Sequence, residues 1–216
     1  MANFDVKTAY RELYAPKTTP GFVDVPEILF LMVDGKGDPN TVAAYQNAVE
    51  ALYGLSYGIK MSKMGGAQLE GYYEYIVPPL EGLWWTAEGG FDASKPGEKD
   101  KLLWTAMIRQ PEFVTAAALD RAKLALEKKK PNVDASGVRL ELYREGLCVQ
   151  VMHRGPYDTE PATVAEMDAF AKAQGYCIDF SDTRKHHEIY LNDPRKTEPE
   201  KIKTVLRHPI SLLTGL

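Results

Sequence analysis

Apolar residues run almost unbroken through EILFLMVDGKGDPN, residues 27–40, for a strand's length, then stop at a cluster of Gly, Asp, Pro and Asn. That pattern predicts a strand followed by a turn. In TVAAYQNAVEALYGLSYGIKMS, residues 41–62, the period changes: Val42, Tyr45, Val49 and Leu52 fall at helical spacing, with Asn40 or Thr41 placed to cap the helix. GYYEYIVPPLEGLWWTAE reads as two strands around a Pro-Pro turn, and KLLWTAMIRQ reads as a further strand after a Gly/Ser/Pro/Lys loop near residues 89–100. The clearest helix is PEFVTAAALDRAKLALEKKKP, bounded by Pro111 and Pro131, with Phe113, Ala117 and Leu124 on its apolar face. The second half restarts the pattern. VRLELYREGLCVQVMHRGPY reads as a hairpin turning near Glu145 and Gly146. PATVAEMDAFAKAQG reads as a helix with a C-terminal Gly, and YCIDF, HHEIYL and TVLRHPI as strands.

These elements predict an α+β fold. LFLMVDGKGDP, helix, GYYEYIVPP in the first half lines up by order and chemistry with VQVMHRGPYD, helix, HHEIYLNDP in the second. The alignment sets Gly35 over Gly155, Glu74 over Glu188, and Pro79 within a residue of Pro194. The expected architecture is therefore two tandem strand-helix-strand-strand units related by a pseudo-two-fold, enclosing a central cleft. We read residues 1–216 as a single domain: an extended, proline-punctuated leader over 1–26, a first repeat over 27–110, a connecting helix and loop over 111–137, and a second repeat over 138–216.

Composition narrows the function classes. With 44% hydrophobic and 26% charged residues the balance is that of an ordinary globular protein. A formal charge of -4 and a pI near 5.7 argue against a nucleic-acid partner, which calls for a concentrated basic face. The dense basic run, Lys128 to Lys130, suits the C-terminal end of a helix. Cys148 and Cys177 are too few for a disulfide framework, and no segment has the pattern of a signal peptide or a membrane span. The expected setting is cytoplasmic, as a monomer or homodimer, with a small molecule as partner and no cofactor.

Candidate chemistry concentrates in HHEIYL, residues 186–191. Strand alternation puts His186, Glu188 and Tyr190 on one face and His187, Ile189 and Leu191 on the other. The apolar second face is expected to pack on the helices and the first to look toward solvent or the cleft. Neighbouring histidines on opposite faces cannot share one ion, which speaks against a metal site. Trp84, Trp85, Trp104, Tyr57, Tyr72, Tyr73, Tyr75, Tyr157 and Tyr190 gather on or beside the central strands and turns. Aromatic walls around a carboxylate suit flat, apolar or cationic ligands through stacking and cation-π attraction. DGKGDPN lacks the third glycine of a dinucleotide fingerprint, and no G-x-S-x-G occurs.

VPEILFLMVDGKGDPN, GYYEYIVPPLEGLWW, HRGPYD and HHEIYLNDPRKTEPEKIKTVLRHPI resemble the GyrI-like small-molecule-binding family over nearly the whole chain. The resemblance implies a twice-repeated strand-helix-strand-strand unit around a ligand cavity. In some relatives, the effector-binding halves of multidrug-responsive regulators, a glutamate among aromatics receives cationic drugs; Glu188 occupies the matching position. The free-standing type is similar to hydrolases that open the cyclopropane of DNA-alkylating cyclopropanoid natural products, a detoxifying activity. What that implies here is Glu188 as the base orienting water, Tyr190 or Tyr157 as hydrogen-bond donor to the substrate carbonyl with Tyr73 as a rival, Trp84, Trp85 and Trp104 as stacking walls, and Glu74 and His186 as further ligand-binding residues. A non-catalytic drug-binding or sensor module would use the same pocket, and a protein-interaction role is the third class.

Overall fold

The computed structural model describes residues 3–66, 68–87 and 99–213. In chain order these form two short helices, α1 (Val6–Ala9) and α2 (Arg11–Tyr14), then β1 (Gly21–Lys36), α3 (Ala43–Met61), β2 (Leu80–Thr86), β3 (Leu102–Arg109), α4 (Ala116–Lys129), β4 (Arg139–Arg154), α5 (Glu160–Ala173), β5 (Tyr176–Ile178), β6 (His186–Tyr190) and β7 (Lys203–Leu212). All strand pairings are antiparallel. The order β4-β1-β3-β2-β6-β7 closes on itself because β7 also pairs with β4, and β5 adds to β7. The result is a mixed α/β fold built on a strand-rich antiparallel barrel.

Period-two alternation sorts side chains to the two surfaces of that barrel. Phe30, Met32, Leu83, Met107, Ile189 and Val205 form the inner core, and Leu13 and Tyr14 of α2 pack into it. Leu31, Trp84, Trp104, Ala106 and Ile108 point outward and are covered by α3 and α4, while Val149, Val151 and Leu206 are covered by α5. Helices α3 and α5 lie over opposite halves: α3 contacts β1 and β3, and α5 contacts β4, β5 and β7. Between them β2 and β6 run side by side, antiparallel.

Four expectations change. Residues 3–26 of the expected leader are not extended throughout: two short helices precede β1, which already begins at Gly21. The main chain of Leu13 accepts from Arg207 Nη2 at 2.9 Å and that of Glu12 from Gln150 Nε2 at 2.6 Å, so this segment is fastened to the barrel. No hairpin forms at Glu145–Gly146. Gly146 takes φ 72°, the left-handed conformation open to glycine, and the ladder to β1 continues on both sides of it. One sixteen-residue strand therefore pairs with β1 as far as Gln150 and with β7 from Cys148 onward. The stretch before Pro78–Pro79 makes only a single bridge, Tyr75 to Phe4, since consecutive prolines have no N–H to give a ladder. Finally, α4 starts after Thr115, whose side chain accepts from Ala118 N, and not at Pro111. The loop predicted near 89–100 lies mostly outside the described residues.

Candidate functional site

His186, Glu188 and Tyr190 share a face of β6, as alternation requires, but that face is the outer one, between α3 and α5, while His187 and Ile189 point into the barrel. The expectation that Ile189 packs on the helices is therefore reversed. Glu188 is held at both oxygens. Oε1 lies 3.0 Å from His186 Nε2, and Oε2 accepts from the Tyr190 hydroxyl at 2.7 Å. That hydroxyl in turn accepts from Trp84 Nε1 at 3.0 Å, across the β2–β6 pairing. The residue paired with Glu188 is Gly82, and a Cβ there would stand 2.7 Å from Trp84 Nε1. The missing side chain leaves room for the indole to reach Tyr190.

Aromatic rings enclose the carboxylate. Tyr45 of α3 lies against Trp84 with ring centroids 5.6 Å apart, and Trp104 meets Tyr45 edge-on at 5.0 Å. Trp104 is buried and packs into the space left by Gly35, so it backs the wall without lining the site. Tyr157, edge-on to Tyr190 at 6.0 Å, is 37% exposed and reaches solvent. Trp84, Tyr157, Tyr190, Glu188 and His186 are thus brought together. Trp85 is not with them: it packs against the inner core, with Lys185 Nζ 4.9 Å above its ring. Tyr73 hydrogen-bonds Glu112 and packs on Phe4 and Phe113. Glu74, expected mid-strand opposite Glu188, lies outside any strand and is ion-paired with Lys63.

Several residues of the site were not singled out from sequence. Glu160, at the start of α5, is buried, and burial together with the nearby Glu188 charge pushes its carboxyl up to about 9. It is a neutral acid at neutral pH. Burial raises the Tyr45 and Tyr190 phenols, as does the Glu188 charge, so both remain protonated donors. Tyr157 is pushed up to about 12, by burial first and then by Glu160 and Glu188. His153 is lowered by burial; its Nδ1 lies 2.8 Å from Thr163 Oγ1. Behind His186, its Nδ1 lies 2.6 Å from His208 Nε2, and His208 Nδ1 lies 2.7 Å from Asp168 Oδ1. A carboxylate, a buried carboxyl and several phenols gathered among aromatic rings are groups that can hold and move protons.

A second polar cluster occupies the barrel interior. His187 Nδ1 lies 3.0 Å from Glu145 Oε2 and its Nε2 lies 3.0 Å from Glu81 Oε2; Arg207 Nη1 donates to Glu145 at 2.9 Å and Tyr14 to Glu81 at 3.0 Å. Burial pulls His187 down, but Glu145, reinforced by a Glu81 hydrogen bond, outweighs it and sets the imidazole at about 9. With paired charges and a cavity of about 10 Å³, the size of one water, this cluster ties α2 to the barrel and leaves no room for a ligand. Among the described residues no group of three or more His, Cys, Asp and Glu could hold a metal ion, and no helix is long and apolar enough to cross a membrane.

Residues 18–211 match the profile of the GyrI-like small molecule binding domain. An uncharacterised conserved protein from Listeria innocua, 52% identical, superposes with a TM-score of 0.90 over 97% of this chain and 100% of its own. Two structures described as hydrolases from the same organism are 50% and 48% identical, with TM-scores of 0.87 and 0.88 and the same coverage. No curated protein sequence matches the chain.

Proposed function

Because the chain belongs to the GyrI-like small-molecule-binding family, we propose that it binds flat aromatic molecules in the cleft between α3 and α5 and hydrolyses a strained cyclopropane in them. The observation that carries the chemistry is the Glu188 carboxylate, buried among Trp84, Tyr45, Tyr157 and Tyr190 and fixed at both oxygens. The hydrolase descriptions of two half-identical structures support the reaction class. Cyclopropanoid DNA-alkylating compounds are the substrate class that fits: a planar aromatic body for the walls, and a ring whose opening delivers an electron pair to a conjugated carbonyl.

Glu188 takes a proton from water as the water oxygen bonds to the cyclopropane carbon. The breaking C–C bond sends its electron pair through the conjugated system to the carbonyl oxygen, which Tyr157 protonates as it becomes a phenol. Tyr190 orients Glu188. A proton then passes from Glu188 back to Tyr157, restoring both groups, and the sum is one water added. We take the two runs β1-α3-β2-β3 and β4-α5-β6-β7 as a tandem repeat with pseudo-two-fold symmetry, and the chain as one domain around this site; the supports are the matching element order and the direct β1–β4 and β2–β6 pairings.

Incubation with a cyclopropane-bearing duocarmycin-type compound is expected to give a product heavier by one water in mass spectrometry. Glu188→Gln is expected to keep binding and lose about 10²- to 10⁴-fold in turnover. Binding without mass gain would leave a sensor module in place of the enzyme.

A further inference from the structure

Glu188 is buried, with its side chain 11% exposed, yet a line of three hydrogen bonds leads from it to the surface. Oε1 of Glu188 meets Nε2 of His186 at 3.0 Å; Nδ1 of His186 meets Nε2 of His208 at 2.6 Å; Nδ1 of His208 meets Oδ1 of Asp168 at 2.7 Å. Both imidazoles are 1% exposed, whereas the Asp168 side chain, on α5, is 35% exposed. The line crosses from β6 through β7 to α5, and each end is a carboxylate.

Proton counting fixes its state. Ionised carboxylates only accept, so three hydrogen bonds in series need three protons, and two neutral imidazoles bring two. The line therefore holds one shared proton more, which can sit on any of its four groups; two of the four arrangements, with it on His208 or on Glu188, decide the case. In the first, His208 carries protons on both nitrogens, His186 on Nε2, and Glu188 is a bare carboxylate. In the second, His208 and His186 each carry a proton on Nδ1, and Glu188 carries one on Oε1. Moving two protons, each along one existing hydrogen bond, converts one into the other, with no ring rotation.

We propose that Asp168, acting through His208 and His186, draws the shared proton to the solvent end of this line and so holds Glu188 as the free carboxylate a base must be. The inference rests on the reading of Glu188 as the base, and it makes Asp168, His208 and His186 positioning residues. Two contacts favour the first arrangement: the Asp168 carboxylate beside the doubly protonated His208, and the Tyr190 hydroxyl donating to Glu188 Oε2. Toward Glu188 face Tyr45 from α3, Tyr157 and Glu160 at the start of α5, and His153 from β4, all uncharged when Glu160 keeps its proton. His187 acts on His186 from the other side of β6, and His208 otherwise meets the edge of Phe180 at 4.8 Å.

The test is the tautomeric state of the two rings in ¹⁵N-labelled protein, read from long-range ¹H–¹⁵N correlations without any substrate. Wild type is expected to show His208 protonated at both nitrogens and His186 at Nε2. Asp168→Asn, at a half-exposed position compatible with folding, keeps an acceptor but no charge. There the shared proton should fall back to Glu188, His186 should switch from Nε2–H to Nδ1–H two hydrogen bonds away, and turnover should drop. An unchanged His186 tautomer in Asp168→Asn overturns the proposal, even in a protein that hydrolyses cyclopropanes. The coupled switch in a protein that hydrolyses none supports the wire and leaves only the proposed reaction refuted.

Discussion

Replacing Gly82 by alanine tests whether the site is built on the close approach of β2 to β6. The new Cβ would lie 2.7 Å from Trp84 Nε1, 3.1 Å from its Cε2 and 3.2 Å from the Tyr190 hydroxyl. Reaching an ordinary contact of about 3.5 Å requires the indole edge to retreat by about 0.8 Å. Trp84 has no free volume behind it: it is 4% exposed and lies against Tyr45, which is itself backed by Trp104. A retreat of that size also stretches the 3.0 Å bond from Trp84 to Tyr190 out of range. Overpacking of roughly 1 to 3 kcal/mol and a lost hydrogen bond of roughly 1 kcal/mol sum to about 2 to 4 kcal/mol, a Tm lower by about 5 to 12 °C for a chain of this size. Thermal unfolding followed by tryptophan fluorescence measures the first effect, and turnover of a cyclopropane substrate measures the second, since Tyr190 would no longer be held on Glu188. Gly21, where an added Cβ meets nothing within 4 Å, supplies the control: Gly21→Ala should change neither. If Gly82→Ala behaves like Gly21→Ala in both assays, the reasoning from close approach is wrong.

Three further outcomes follow from the charges. Glu160 is neutral when folded up to about 9 but ionises near 4.5 when unfolded, so rising pH favours the unfolded chain. Glu160→Gln should therefore be stabilising, by an amount that is nil below pH 4.5 and grows toward pH 9; urea unfolding at the two extremes measures it, and a pH-independent difference would refute it. Inside the barrel, His187 folds with a pKa of about 9 against 6.5 unfolded, so its contribution is complete below 6.5 and lost as pH rises through 9. Glu145 is held at about 2 against 4.5, burial being outweighed by His187 and Arg207, so its contribution is complete above 4.5 and lost toward 2. In a Glu160→Gln background Tm should thus be flat between pH 4.5 and 6.5 and fall on both sides; a flat alkaline limb would contradict the assignment of His187. Glu74, outside the cleft and paired with Lys63, should tolerate Glu74→Gln without a change in the pH profile of turnover.

How much of this could be read from the chain depends on what each signal measures. Alternation in HHEIYL fixed that Glu188 and Tyr190 travel together, because strand geometry admits no other arrangement. It could not say which face meets the helices. In a closed barrel wrapped by helices both faces of a strand are buried, so the apolar pair Ile189 and Leu191 was no guide, and the polar His187 turned out to be the inward one. The likeness of GYYEYI to HHEIYL misplaced Glu74 for a different reason: Pro78 and Pro79 remove the donors a strand there would need, and the pairing falls to LEGLWW, where the residue opposite Glu188 is a glycine with no side chain to betray it. Glu160 and Asp168 did leave a trace. They stand eight residues apart on one side of α5 with the buried Met167 and Ala171, so carboxylates interrupt the stripe that faces the sheet. At the first turn of a helix an acid reads as a partner of the dipole, which is why Glu160 passes unnoticed. Only the arrival of β6 beneath it puts a second carboxylate, Glu188, close enough to keep it protonated. The raised Glu160 carboxyl and its neighbour Glu188 are therefore brought together by one tertiary contact, which neither the helix nor the strand shows in its local sequence.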